Sequence, residues 1–115
     1  MLRDPRAYLW DALHAGDLLA EFSAGRSFTD YQADAMVRSA VERQFEIIGE
    51  ALNQLSKVDP ALASTIPDLP RIVAFRNILI HGYATVDDAL VWQVLTEKIP
   101  ALREVLTKLL DQHHD

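Results

Sequence analysis

MVRSAVERQFEIIGEALNQL, residues 36–55, is the stretch on which the fold turns. Val37, Val41, Gln44, Ile48, Leu52 and Leu55 recur at spacings of three and four, and Ala33, Ala40, Phe45, Ile47 and Ala51 widen the stripe. That period is helical, and a stripe so broad is a face to be buried. Ser27 or Thr29 can cap the helix, and neither Gly nor Pro interrupts it before Gly49. The pattern therefore predicts one long helix. Its other side carries Glu42, Glu46, Gly49 and Asn53. A helical glycine costs about 1 kcal/mol relative to alanine. Gly49 among polar residues thus implies that another backbone comes close.

Outward from this helix the chain keeps the same period. Asp4-Pro5 is a cap followed by a proline suited to the first turn, and Leu9, Leu13 and Leu18 carry the first helix to about Phe22. Gly25 is a plausible stop within the loop around it. Asp59-Pro60 starts a short helix to about Ile66. Asp68-Leu69-Pro70 starts another, with Ile72, Phe75 and Leu79 as its core stripe and Gly82 placed as a left-handed stop. Val86-Asp87-Asp88 opens a fifth, patterned by Leu90, Val91, Trp92, Val94 and Leu95. Pro100 kinks it or starts a new segment, and Leu102 to Leu110 continue the period. Residues 111–115 are a polar tail expected to fray. No segment alternates as a strand would, and there is no internal repeat. The expected class is all-α, an antiparallel bundle of four to five helices in a single domain over 1–115.

Composition narrows the function. A chain of 115 residues that is 50% hydrophobic can bury one core. No apolar run nears the roughly 18 residues needed to span a bilayer. The start carries no signal-peptide pattern and there is no cysteine, so a cytoplasmic protein without disulfides is expected. The net charge of −6 argues against a broad, sequence-independent grip on nucleic acid. A small local basic site remains compatible with it.

The chemistry gathers in Arg76-Asn77-Ile78-Leu79-Ile80-His81-Gly82-Tyr83. On an ideal helix Arg76 falls about 40° from Ile72, inside the apolar stripe, so it must snorkel, pair with an acid or face another subunit. His81 points about 140° away from Arg76. One straight helix cannot aim both at one atom. Either the helix ends at His81 and lets the imidazole swing round, or two copies pool their side chains across a two-fold axis. An arginine that grips phosphate oxygens and a histidine that moves a proton suit metal-free cleavage of RNA. The same spacing also reads as a surface arginine and a helix-terminal histidine meeting the dipole.

Here the sequence resembles a family. Arg76 to Tyr83 is similar to the R-N-x-x-x-H-x-Y motif of the HepT-like branch of the HEPN superfamily. Residues 43–51, residues 66–70, Val86-Asp87, Trp92 and Ile99-Pro100 resemble the segments that accompany it. The likeness spans roughly 28–110. It implies an HEPN-like fold and a metal-independent RNase that acts as a homodimer, with the motif at the two-fold interface. It further implies the toxin half of a type VII-like toxin–antitoxin system. The partner implied is a minimal, MntA-like nucleotidyltransferase that silences the toxin by moving AMP from ATP to the motif tyrosine. By position, Arg76 and His81 would be catalytic, Asn77 supporting, and Tyr83 the AMP acceptor. The alternative is a non-catalytic helical subunit that only docks the nucleotidyltransferase and is modified by it.

Glu46 and Glu50 lie one turn apart with Arg43 near both. They read as a surface ion network, or, more sharply, as supporting residues of which one pairs with Arg76 and orients it. Arg71 and Arg38 are candidates for guiding RNA, with ordinary solvated charge as the plainer reading. His14, His81, His113 and His114 form no Glu-x-x-His pairs, so no metal site is expected, nor any cofactor. Trp10 and Trp92 read as packing anchors.

Overall fold

The computed structural model describes residues 3–82 and 86–112. Asp4 opens the first helix as its spacing predicts: its carboxylate accepts from the Arg6 N–H, and Pro5 takes the first turn. This helix, α1 (Pro5–Ser23), ends ahead of Gly25, whose φ of 73° gives the left-handed turn. The remaining helices are α2 (Phe28–Ala33), α3 (Ala35–Val58), α4 (Pro60–Ala63), α5 (Leu69–His81), α6 (Asp88–Glu97) and α7 (Ile99–Gln112). The class is all-α, as expected. The described residues hold seven helices rather than four or five.

Part of the excess comes from a break that the hydrophobic period conceals. The long helix predicted from Ser27 or Thr29 onward is two helices. Ser27 caps α2 in a reciprocal capping box with Asp30. Asp34 then leaves helical geometry, at φ −112° and ψ 99°, and its Oδ1 accepts from the N–H groups of both Met36 and Val37. A short acid that bonds the backbone just ahead of it offers the chain an alternative to helix, so Asp34 ends one helix and caps the next. Ala33, placed in the stripe by spacing, is exposed. A second break at Lys98 separates α6 from α7, and Pro100 stands in the first turn of the new helix.

α3 is the axis of the bundle. It packs on α1, α5, α4 and α2, while α7 packs on α1 and α6. Val41, Phe45, Ile48, Leu52 and Leu55 of α3 are buried, as the stripe requires. Leu9 and Leu19 of α1 and Leu106 of α7 are fully buried with them. α1 and α7 are drawn together at Arg103, whose Nε donates to Asp17 at 2.9 Å while its stem lies on Gly16. No helix among the described residues is long and apolar enough to cross a membrane.

Two aromatic expectations divide. Trp92 anchors packing, tilted on the fully buried Tyr31 ring at 5.2 Å. Trp10 does not: it is 56% exposed and lies stacked on His14. It sits beside the apolar stripe of α1, on the outer flank. Leu90 is likewise 40% exposed rather than core.

Candidate active site

α5 carries the motif, and its two ends depart from the expected chemistry. Asp68 holds the N-cap position in a left-handed conformation, φ 61°, and its side chain makes no capping bond. Its carbonyl instead accepts from Arg71 and Ile72. Gly82 is not left-handed: φ is −104°, and its N–H closes the last turn on the Ile78 carbonyl at 2.7 Å. The helix runs regularly through His81, and Tyr83 lies outside the described residues.

Leu79 fixes the buried side of α5, and Phe75 packs edge-on against Phe45 of α3 at 5.1 Å. That docking turns Arg76 along α3. Its Nη2 donates to Glu50 Oε2 at 2.6 Å, and its Nη1 donates to Asn77 Oδ1 at 2.8 Å. Glu50 Oε1 also accepts from Gln54 Nε2 at 3.0 Å. A chain of polar contacts thus runs Gln54–Glu50–Arg76–Asn77. The Arg76 side chain is 25% exposed, and its Nε is buried with no hydrogen-bond partner. The acid that an arginine inside an apolar stripe requires is therefore Glu50. Glu46, one turn earlier, pairs with the well-exposed Arg43 at 3.5 Å, a contact of little energetic weight. No hydrogen bond or ion pair joins Arg43 to Glu50 among the described residues. Gln54 escaped the sequence reading, although its place four residues after Glu50 is the spacing at which helix neighbours meet.

His81 is exposed at the C-terminal end of α5, where the helix dipole favours a cation. α5 ends at His81, which is where the first of the two expected arrangements needs it to end.

Beside α5 lies a cleft of about 600 Å³. Phe45 and Ile48 of α3 line it, with α5 on one wall and α6 and α7 on the other. Ile78 and Leu90, 53% and 40% exposed, leave it open to solvent. Arg71 lies in this cleft, away from the Arg76–Glu50 pair. Arg38 is engaged elsewhere: it donates to the Gln32 carbonyl and lies 4.0 Å from Asp88. A second polar group was not anticipated. Burial, then Asp88 and Glu46, push the Glu42 carboxyl above its ordinary range. Burial likewise raises the Tyr31 phenol, whose hydroxyl has no hydrogen-bond partner. Among the described residues no three His, Asp or Glu side chains gather as a metal-binding group.

The described residues form an all-helical bundle consistent with an HEPN-like fold, with Arg76 of α5 tethered to Glu50 of α3. The chain belongs to the HepT-like ribonuclease family: the family model, described as "Ribonuclease HepT-like", matches residues 12–109. The chain is 35% identical over 109 residues to the "Probable ribonuclease HepT" of Thermococcus cleftensis, covering 95% of this chain and 98% of that protein. It is 33% identical over 104 residues to a "Putative RNase" of Methanocaldococcus jannaschii, covering 89% and 93%. It is 32% identical over 111 residues to a "Putative RNase" of Caldanaerobacter subterraneus, covering 96% and 98%. No solved structure matches the chain.

Proposed function

We propose that this chain is a metal-independent endoribonuclease that works as a homodimer, with Arg76 and His81 as its catalytic residues. The observation that carries the reading is the Arg76–Glu50 pair of 2.6 Å, which holds a guanidinium at the motif position of a HepT-like family member. The guanidinium binds phosphate oxygens and stabilises the charge that builds on them. His81 takes the proton from a ribose 2′-hydroxyl. The 2′-oxygen then bonds to phosphorus as the bond to the 5′-oxygen breaks, and the counterpart histidine of the second copy returns a proton to that leaving oxygen. Two-fold pooling is what unites groups that one helix holds about 140° apart. The open apolar cleft along α5, with Ile78 and Leu90 exposed, supports a second copy there. Asn77 and Glu50 support Arg76, and Glu46 stands behind them on α3. Arg71 and Arg38 are the candidates for guiding RNA. The setting is cytoplasmic.

The family membership also supports a regulatory reading. The chain is the toxin of a toxin–antitoxin pair, and a minimal nucleotidyltransferase silences it. The Tyr83 oxygen attacks the α-phosphorus of ATP, pyrophosphate leaves and the phenolic proton is released. The AMP so attached adds a bulky anion to the motif, and that addition closes the site to RNA.

The test is cleavage of a defined RNA by the purified chain in EDTA. Arg76→Ala and His81→Ala are each expected to lower the rate by about a hundredfold or more, with the fold intact. Unchanged cleavage in both variants would refute catalysis by these residues, and no cleavage by the parent would leave the docking-subunit role.

A further inference from the structure

Gly49 lies on the turn of α3 that meets Arg76. A Cβ built on Gly49 would stand 2.2 Å from Arg76 Cβ and 2.7 Å from its Cγ. Carbon atoms pack at about 3.5–4.0 Å, so one methyl group here would displace its neighbour by about 1 Å or more. The atoms it meets are the root of the side chain. Rotating the guanidinium does not relieve the contact, and α5 itself would have to move. Gly16 differs: a Cβ there would meet only the stem of Arg103, at 3.1 Å.

The next residue of α3 acts on the other end of the same side chain, since Glu50 holds Nη2 at 2.6 Å. Between the two ends, Nε is buried with no hydrogen-bond partner. The placement of Arg76 therefore rests on a steric seat at its root and an ion pair at its tip. Consecutive residues of one helix supply both.

We propose that Gly49 is a positioning residue of the ribonuclease site. With Glu50 it forms a seat that sets how deeply Arg76 enters and where its guanidinium meets phosphate. This rests on the ribonuclease reading above and goes beyond it. It explains a glycine in the middle of a long helix by the reaction as well as by packing.

The experiment compares the parent, Gly49→Ala, Arg76→Ala, their double variant and Gly16→Ala as full chains, well below their melting temperatures. Cleavage of a labelled RNA is followed with protein in excess and saturating, so that slow variants can be read. A displacement near 1 Å at a catalytic group lowers rates by up to about a hundredfold. Gly49→Ala is expected to lose at least about tenfold in the saturated rate, with RNA affinity changed less. Arg76→Ala keeps the Cβ that residue 49 would meet, so α5 still shifts in the double variant, and the loss from Gly49→Ala should be smaller in the Arg76→Ala background than in the parent. Gly16→Ala, the same change at another helix contact, should stay within about twofold of the parent. The proposal is overturned if Gly49→Ala cleaves within twofold of the parent, or if it lowers the rate by the same factor in both backgrounds. If Arg76→Ala itself cleaves like the parent, the ribonuclease reading fails and the seat has no catalytic role, which is a different result. Should Gly49→Ala not fold, Glu50→Gln tests the seat from its other end. A loss that disappears in the Arg76→Ala background supports it, and no loss, or an equal loss in both, overturns it.

Discussion

If two copies meet over the cleft as proposed, truncating Ile78 to alanine should separate them without dismantling either. Ile78 follows Asn77 on α5, lines the cleft and is 53% exposed in the single chain. The substitution removes three carbons, each worth about 0.8 kcal/mol when buried. About half of that burial already exists within the chain, so the folded monomer should lose about 1 kcal/mol. The other half is gained only when a second copy covers the cleft. It amounts to about 1.2 kcal/mol per copy, and a two-fold interface counts it twice. The expected effect is about 2.5 kcal/mol, or between fiftyfold and a hundredfold in the dimer dissociation constant, roughly. Sedimentation over a protein dilution series measures that constant, and RNA cleavage per chain is read over the same series. Activity should fall along the curve on which the dimer dissociates, and Ile78→Ala should shift both curves together. A dimer constant within twofold of the parent would show that this face is not the interface. Full cleavage by a monomeric sample would show that the site is complete in one chain.

Three further outcomes follow from the same structure and sequence. Tyr83→Phe should still cleave RNA but accept no AMP from the nucleotidyltransferase and ATP, as read by mass spectrometry; a variant that is still modified and silenced would place the acceptor elsewhere. Asp34→Ala removes both capping bonds at the head of α3 and should cost about 1 kcal/mol in urea unfolding; no measurable loss would mean that the break at Asp34 is held by packing alone. Glu42→Gln addresses pH. The Glu42 carboxyl is raised in the folded chain, chiefly by burial, so its protonated form is the better folded one. Its contribution is fully present below the unfolded carboxylate pKa and is lost as pH rises through the folded value. The variant should therefore melt higher than the parent at neutral pH, with the gap closing below about pH 4. A gap that widens on acidification would reverse the assigned sign.

Several helix starts were legible from an acid standing before a proline or an apolar run. Asp4, Asp59 and Asp87 all cap through their side chains as spacing suggests. The break at Asp34 was not, because neither glycine nor proline marks it and a mid-pattern aspartate interrupts by bonding the backbone itself. The helix start at Asp68-Leu69-Pro70 was legible, but the left-handed backbone of Asp68 was not. The demand that Arg76 find a partner could be read from its helical angle. Choosing Glu50 over Glu46 could not, since that depends on the rotation and height at which α5 docks on α3. Trp10 shows the same limit: periodicity gives the centre of a stripe, and a residue at its margin falls to either side according to where the neighbouring helix lies.

The clasp between Arg103 and Asp17 joins residues 86 positions apart in the chain. Its consequence concerns the order of events during synthesis. Gly49 and Arg76 both lie between the two partners of the clasp in the chain. α1 is made first, yet one of its faces stays bare until α7, the last helix, arrives to cover it. Closure of the bundle by this pair therefore waits on everything that lies between them in the sequence.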